Sequence, residues 1–332
     1  MVLFAPLRIP VSRRLQTAAV LSWISALGVS LTVFFYLCTF KYLWPIIIIY
    51  LLWILMLDQA PERGGRRVDL WRRWKGWKYF AAYFPMTLIK EGDLDPSKNY
   101  IFGYHPHGII SLGAFCTFGT EGLNFSKRFP GIKSRLLTLQ SNFNIPLYRD
   151  FIMACGCASV SRNSCESILR SGPGNSITIV VGGAQESLAA KPGTMDLTLK
   201  KRMGFIKLAL VNGASLVPTL AFGENDLYEL YSTNKASKMY HLQQMIKHTL
   251  GWTVPMFNGR GIFNYDFGLM PRRKPVFIVI GKPIHVEKSE GAPTQEQLEA
   301  LQTKYMTELQ GIWDRYKDKY AQGRTEEMRF IE

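Results

Sequence analysis

The chain has 332 residues, which is enough for one large domain or two modest ones. Its net charge of +15 would suit a nucleic-acid-binding protein, but no nucleic-acid-binding motif is present and the basic residues lie beside apolar segments, which argues against that class. The five cysteines are odd in number and form no C-x-x-C pair, so we interpret them as reduced packing residues rather than as a disulfide framework.

Two uncharged apolar segments follow a short basic tail, residues 1–14. The first, residues 15–40, is longer than a helix needs to cross a hydrocarbon core of ~30 Å at ~1.5 Å per residue. The second, residues 43–57, is short for a full span, so residues 15–57 are predicted to form a membrane-embedded hairpin of two spans or of one span and a re-entrant arm. Buried core helices are disfavoured because neither segment has a polar face, and a cleaved signal peptide because the apolar stretch is too long.

Basic residues flank these apolar segments on both sides. The tail carries a net +3 and residues 60–90 a net +6, so nine of the fifteen net positive charges lie next to the hairpin. The positive-inside rule then places both flanks, both termini and the following domain in the cytosol. Within the linker, residues 58–90, three tryptophans recur every third residue between basic side chains; they indicate either an interfacial helix or a helix that packs its indole face on the domain.

The remaining residues, 91–332, are predicted to form one α/β domain, because apolar strands alternate with helices. The helix that begins at Thr294 has the strongest start signal, since Thr294 and Gln297 can form a capping box. Strands are predicted at 100–104, 136–139, 177–181, 216–222 and 276–280, and further helices before Thr120, after Ser161 and over 204–212.

Two histidines close the first of these strands. His105 and His107 are separated by Pro106 and followed by Gly108, which stop the strand and turn the chain. Strand ends of α/β sheets are where ligands bind, and a histidine there can accept a proton near neutral pH. Packing is the alternative for both rings. A metal site is disfavoured because the chain has only five histidines, whereas a general base needs one histidine and no metal.

Two later strands also end in glycines followed by acidic residues. Gly182 and Gly183 precede Glu186, and Glu224 follows the strand at 216–222. Such glycines let backbone N–H groups approach an oxyanion or a phosphate, although a plain turn is the alternative. Neither a G-x-S-x-G elbow nor a P-loop is present, which argues against a serine hydrolase and a nucleotide phosphohydrolase.

Taken together, these motifs resemble the type-2 diacylglycerol acyltransferase family, which includes monoacylglycerol and acyl-CoA wax alcohol acyltransferases. The matching segments are the opening FAPLRIPVSRRLQT, YFP (83–85), HPHG (105–108), PLYR (146–149), GGAQE (182–186), RMGFIKLA (202–209), VPTLAFGE (217–224) and GKPI (281–284). The resemblance implies a glycerophosphate-acyltransferase-like α/β domain behind the membrane hairpin.

The implied activity is transfer of an acyl group from acyl-CoA, as co-substrate, to diacylglycerol, with no cofactor and no metal. Monoacylglycerol or a fatty alcohol is the alternative acceptor, and a non-catalytic lipid-binding scaffold the alternative class. The implied location is the endoplasmic reticulum membrane, with the lipid droplet surface as a second site; whether the protein is a homo-oligomer stays open.

The resemblance also suggests roles for individual residues. His107 would take the proton from the glyceride hydroxyl, with His105 as the second candidate, and the loop of Gly182 and Gly183 would hold the oxyanion. Related glycerophosphate acyltransferases carry an aspartate five residues after the histidine, which this chain lacks, so Glu186 is the candidate for orienting the imidazole.

Three further residues are candidates for contact with acyl-CoA or its partner substrate. Arg149 and Arg202 would bind CoA phosphates, since guanidinium groups suit bidentate phosphate binding, with a structural ion pair as the alternative for each. Glu224, in the VPTLAFGE motif, is a candidate substrate-binding residue.

Overall fold

The computed structural model describes residues 3–6, 8–230, 245 and 256–332. Its helices include α1 (Val11–Cys38), α2 (Trp44–Leu52), α3 (Asp69–Arg72), α4 (Gly76–Tyr83), α5 (Leu112–Ala114), α6 (Phe125–Arg128), α7 (Tyr148–Ala154), α8 (Arg162–Arg170), α9 (Gly183–Ser187), α10 (Gly204–Asn212) and α11 (Gln295–Tyr320). Helix α2 continues into a π-helical turn, Trp53–Leu57, and α5 into another, Phe115–Gly119.

A mixed sheet forms the centre of the domain. The strands are β1 (Thr87–Lys90), β2 (Tyr100–His105), β3 (Lys133–Thr138), β4 (Cys157–Ser159), β5 (Asn175–Val180), β6 (Asp196–Thr198), β7 (Ser215–Phe222), β8 (Glu229–Leu230), β9 (Phe257–Asn258), β10 (Phe277–Ile280) and β11 (Arg329–Ile331). Among the described residues the central sheet has seven strands in the order β1-β10-β7-β2-β5-β3-β4. Strands β1 and β10 are parallel to each other and antiparallel to the rest, so β2, β3, β4, β5 and β7 end at one edge.

Each face of the sheet carries its own apolar core. Neighbouring residues of a strand point to opposite faces, so Leu136 belongs to one core and Leu137 to the other. The first core receives Ala19 and Val20 of α1 together with α4, and the second receives α8, α10 and α11. The apolar N-terminal helix therefore packs on one face and the C-terminal helix on the other.

The α/β class and most element positions are confirmed. Ser161 caps α8 by accepting the backbone N–H of Ser164 at 3.2 Å, and the capping box of Thr294 and Gln297 begins α11. Helix α10 has the predicted bounds and ends at Gly213, which is left-handed at φ 62°. Local signals suffice at these places because each capping partner lies within three residues.

The membrane segment is supported for one helix. Within the described residues, α1 alone is long and apolar enough to cross a membrane: it has 28 residues and contains an 18-residue stretch with a mean hydropathy of 2.0. The second apolar helix, Lys41–Leu57, is shorter. The hairpin and the glycerophosphate-acyltransferase-like architecture stay predictions.

Two of the predicted boundaries differ from the structure. Helix α1 already begins at Val11, inside the predicted tail, because its first turns pack on the domain: Arg273 donates to Gln16 at 2.6 Å and to Thr17 at 2.9 Å. The predicted linker of residues 58–90 ends in a strand of the central sheet, since β1 pairs with β10.

The tryptophan segment forms two short helices, α3 and α4, rather than one. The stacked rings of Trp71 and Trp74, 5.4 Å apart, fold over the start of α4, where a side chain at Gly76 would lie 2.1 Å from the Trp74 ring. Trp77 is buried, as the packing alternative predicts, whereas Trp74 is 45% exposed. The segment is therefore not a single helix, and its place at a membrane interface stays a prediction.

Candidate active site

His107 lies in the loop after β2, at the edge where the parallel strands end. Its Nδ1 is 3.0 Å from the carbonyl oxygen of Gly108, and because a carbonyl oxygen only accepts, Nδ1 carries the hydrogen. The Nε2 atom is then unprotonated, and burial lowers the pKa of the ring, which keeps it neutral. The imidazole lines a large cavity, so it presents a proton acceptor to whatever the cavity holds.

His105 faces the opposite core. Its Nε2 donates to the hydroxyl of Tyr305 in α11 at 2.9 Å, and that hydroxyl donates to the carbonyl of Gly103 at 3.1 Å. The ring is fully buried, and burial lowers its pKa to about 3. His105 does not line the cavity, so its surroundings favour the packing alternative, and a catalytic role for this ring stays a prediction.

Glu186 supports the His107 loop through its backbone. One carboxylate oxygen accepts the backbone N–H of His107 at 2.5 Å, and the other accepts that of Thr198 at 2.7 Å. Both oxygens are directed to backbone groups, so Glu186 positions the loop in this structure and its role in orienting the imidazole stays a prediction. Burial raises the pKa of Glu186 to about 7 despite these bonds.

The double glycine makes this arrangement possible. Gly182 has φ 103°, and a side chain there would lie 2.3 Å from an oxygen of Glu186, so the close return of the carboxylate requires glycine. Gly183, at φ 62°, has open space around its α-carbon. Both glycines line the cavity beside His107, where their backbone remains a candidate for oxyanion binding.

Glu224 lies beneath the same loop rather than in the cavity. Its Oε2 accepts the hydroxyl of Tyr104 at 2.8 Å and the N–H of Gly113 at 3.1 Å, and a side chain at Gly108 would lie 2.9 Å from its Cγ. The carboxyl is buried against strand β2 and does not line the cavity, so a contact of Glu224 with substrate stays a prediction. Together with Glu186, Glu224 holds the His107 loop from two sides.

A pH test follows for Glu224. Burial raises its pKa from the ordinary 4.5 to about 7, so the folded protein holds this proton more tightly than the unfolded chain. Stability from this group is present at low pH and is lost as pH rises through about 7, on the order of 2 kcal/mol between about pH 5 and about pH 8. Glu224→Gln, which does not titrate, should lose less stability over that range in thermal unfolding. A melting-temperature difference from wild type that is the same at both pH values would contradict this.

The cavity has a volume of about 930 Å³ and straddles the carboxyl edge of the sheet. One side is apolar and belongs to the core that packs on α1; its lining residues are Trp23, Ile109, Ile110, Phe115, Tyr148 and Ile152. The other side adjoins α8 and α10 and carries the cationic residues Arg162, Lys201, Arg202 and Lys207 among apolar ones such as Phe205 and Leu208. Two of the cations are paired, Arg162 with Glu166 at 2.7 Å and Lys201 with Glu332. His107 and the two glycines lie at the same edge, so one cavity offers a base, an apolar wall and a cationic wall.

The two predicted phosphate-binding arginines have different environments. Arg202 is exposed, lines the cavity and donates to the carbonyl of Gly182 at 3.1 Å. Arg149 is fully buried, pairs with Asp58 at 2.5 Å and donates to the carbonyl of Phe143 at 2.7 Å. This geometry favours the structural ion pair for Arg149, and a role for Arg149 in CoA binding stays a prediction.

Several site residues were not predicted from the sequence. Trp23 and Phe115 line the cavity, but the sequence indicates only that they belong to apolar helices. Tyr305 forms its hydrogen bond with His105 from 200 positions further along the chain. The basic residue Lys207 had one available signal, its place in the RMGFIKLA motif beside Arg202. Among the residues that the structure describes, no group of three His, Cys, Asp or Glu side chains could hold a metal; His241 and His248 lie outside those residues.

The domain is α/β and carries an apolar N-terminal helix long enough to cross a membrane. Its cavity places a histidine between an apolar side and a cationic side, which is typical of an enzyme that acts on amphipathic substrates. The chain belongs to the diacylglycerol acyltransferase family, whose model, Diacylglycerol acyltransferase, matches residues 34–330. The resemblance drawn from the HPHG and accompanying motifs is thereby confirmed.

Individual relatives agree with this assignment. The chain is 57% identical to Diacylglycerol O-acyltransferase 2A of Umbelopsis ramanniana, over 99% of this chain and 94% of the relative. It is 50% identical to Diacylglycerol O-acyltransferase 2 of Dictyostelium discoideum, over 98% of each, and 45% identical to 2-acylglycerol O-acyltransferase 1 of Bos taurus, over 96% of each. No solved structure gives a significant match.

Proposed function

We propose that this chain is an acyl-CoA-dependent O-acyltransferase that esterifies diacylglycerol to triacylglycerol. The observation that carries the proposal is that the imidazole of His107 lines one cavity together with an apolar wall and a cationic wall. A neutral, lipid-soluble acceptor suits the first wall and the phosphates of CoA suit the second. The relatives named diacylglycerol O-acyltransferase support the choice of acceptor.

The proposed reaction is a direct transfer. Nε2 of His107 takes the proton from the free hydroxyl of diacylglycerol as its oxygen attacks the thioester carbonyl. Backbone N–H groups of the Gly182–Gly183 turn stabilise the negative charge on the carbonyl oxygen. The carbon–sulfur bond then breaks, the ester forms, and the CoA thiolate receives the proton from His107. The step needs only the two substrates, so we propose that no metal or cofactor takes part.

Monoacylglycerol is the second candidate acceptor. The bovine relative at 45% identity is named 2-acylglycerol O-acyltransferase 1. Acylation of a monoacylglycerol would also proceed by attack of a free hydroxyl on the thioester. The direct test is a parallel assay of the purified protein with labelled acyl-CoA and diacylglycerol, monoacylglycerol or fatty alcohol. We expect diacylglycerol to give the highest kcat/KM; preference for either other acceptor would overturn the assignment.

We also propose that the enzyme acts at the endoplasmic reticulum membrane, with the lipid droplet surface as a second location, and that residues 15–57 form a hairpin with both termini cytosolic. The charge on both flanks supports this topology. A contact near the end of α2 also supports it. The hydroxyl of Tyr50 donates to Asp150 of α7 at 2.8 Å, so the chain has by then returned to the domain that α1 leaves.

Arg202 should act on acyl-CoA rather than on the glyceride. Loss of a charge-assisted bond to a phosphate should raise KM for acyl-CoA in Arg202→Ala roughly ten-fold or more, with little change in KM for diacylglycerol. Initial rates measured while each substrate is varied separately test this. Arg315→Ala is the matched control, since Arg315 pairs with Glu91 at 2.8 Å and does not line the cavity. An unchanged KM for acyl-CoA in Arg202→Ala would contradict the assignment.

A further inference from the structure

Trp23 belongs both to the candidate membrane helix and to the active-site cavity. It lies midway along α1, where the neighbouring residues Ala19 and Val20 are buried in the first core. Its ring centroid lies 5.0 Å from that of Phe115 and 5.9 Å from that of Phe80. The indole is only partly buried by these contacts, and its remaining surface lines the cavity that also contains His107.

The apolar wall is continuous from α1 to the base. Ile109 and Ile110 follow His107 and Gly108 in the chain and line the same cavity, as does Phe115 from the turn after α5. A ligand placed with a hydroxyl at Nε2 of His107 therefore has an apolar surface leading from the reacting atoms to α1.

The structure also indicates which substrate that wall suits. The cationic residues lie on the other side of the cavity, in α8, in α10 and in the turn before α10, where they would hold the charged CoA. Diacylglycerol carries no charge and dissolves in the bilayer. Beyond Trp23, α1 exposes apolar side chains such as Val29 (55%) and Phe35 (63%), so the helix runs from lipid to the cavity.

We propose that Trp23 binds an acyl chain of the glyceride acceptor, so that α1 is a wall of the acceptor site and a determinant of acceptor specificity as well as an anchor. This inference rests on the proposed function. It adds that the membrane helix takes part in substrate recognition, which anchoring alone does not require.

The test compares acceptors of different chain length in Trp23→Ala. Removing the indole deletes apolar contact, so KM for a long-chain diacylglycerol should rise about ten-fold, while KM for a short-chain diacylglycerol and for acyl-CoA changes little. Trp44→Ala is the matched control, because Trp44 is a tryptophan of the second apolar helix that is 50% exposed and does not line the cavity. An equal rise in KM for long-chain and short-chain diacylglycerol, or a rise confined to KM for long-chain acyl-CoA, would overturn the proposal. Wild-type protein without triacylglycerol synthesis would instead contradict the proposed function.

A second measurement covers the case in which Trp23→Ala does not fold, since the indole also packs on Phe80 and Phe115. Wild-type protein in lipid vesicles is irradiated with diacylglycerol that carries a photoreactive diazirine at the end of one acyl chain. We expect labelled peptides to include residues 21–24 of α1, and excess unlabelled diacylglycerol to abolish the labelling. Labelling of other cavity peptides without residues 21–24 would overturn the proposal.

Discussion

His107→Ala is expected to lose about a hundred- to ten-thousand-fold in the rate of acyl transfer while the protein stays folded and membrane-bound. The imidazole is the proton acceptor that faces the cavity, and Nδ1 is already committed to the carbonyl of Gly108, so no other atom of this side chain can replace Nε2. Initial rates of triacylglycerol formation at saturating substrates measure the effect. The loss should appear in kcat, because the ring is proposed to act in the transition state rather than in binding.

Two other histidines provide controls for that experiment. His285→Ala should leave the rate unchanged, since His285 is exposed and outside the cavity. His105→Ala should lower stability through loss of the bond to Tyr305 and reduce the rate less than His107→Ala does. Full activity in a folded His107→Ala variant would end the proposed mechanism, and the HPHG loop would then be a packing feature.

Arg149→Ala is expected to destabilise the protein by about 3 kcal/mol without changing KM for acyl-CoA in the folded fraction. The substitution removes a buried guanidinium from Asp58 and from its position over the ring of Trp53, 5.4 Å away, and it leaves the carbonyl of Phe143 without that donor. Thermal or denaturant unfolding of the purified protein measures the loss.

Arg66→Ala is the matched control for Arg149→Ala. Arg66 pairs with the same carboxylate at 2.6 Å, but its side chain is 39% exposed, so its removal should cost about 1 kcal/mol or less. A normally stable Arg149→Ala variant with a raised KM for acyl-CoA would restore the CoA-binding role that the buried ion pair argues against.

Local patterns predicted most of the fold. The capping box at Thr294, the glycine that ends α10 and the β-branched run of β5 each depend on residues a few positions apart. The tryptophan segment is the exception. Its three-residue spacing suits one helix, but the helix is interrupted between Arg72 and Gly76, where Trp71 stacks on Trp74, and spacing alone does not reveal that contact.

The site was predicted less completely, since its contacts join distant residues. HPHG identified His107, but only the packing of Tyr305 on His105 shows which ring faces the cavity. Glu186 was placed near His107, yet its contact with the backbone instead of the imidazole depends on the Gly182 turn. An arginine that binds phosphate and one in a buried ion pair look alike in sequence. Only the structure distinguishes the two, because Arg149 pairs with Asp58 whereas Arg202 lines the cavity.

The central claim is that His107 promotes direct transfer of the acyl group from acyl-CoA to the hydroxyl of diacylglycerol. A single-turnover measurement with purified protein in lipid vesicles, excess enzyme and labelled acyl-CoA tests it most directly. We expect labelled triacylglycerol and free CoA to appear together and only when diacylglycerol is present, and both to be nearly absent with His107→Ala. Release of CoA and covalent labelling of the protein before diacylglycerol is added, or triacylglycerol formed at the wild-type rate by His107→Ala, would contradict the account.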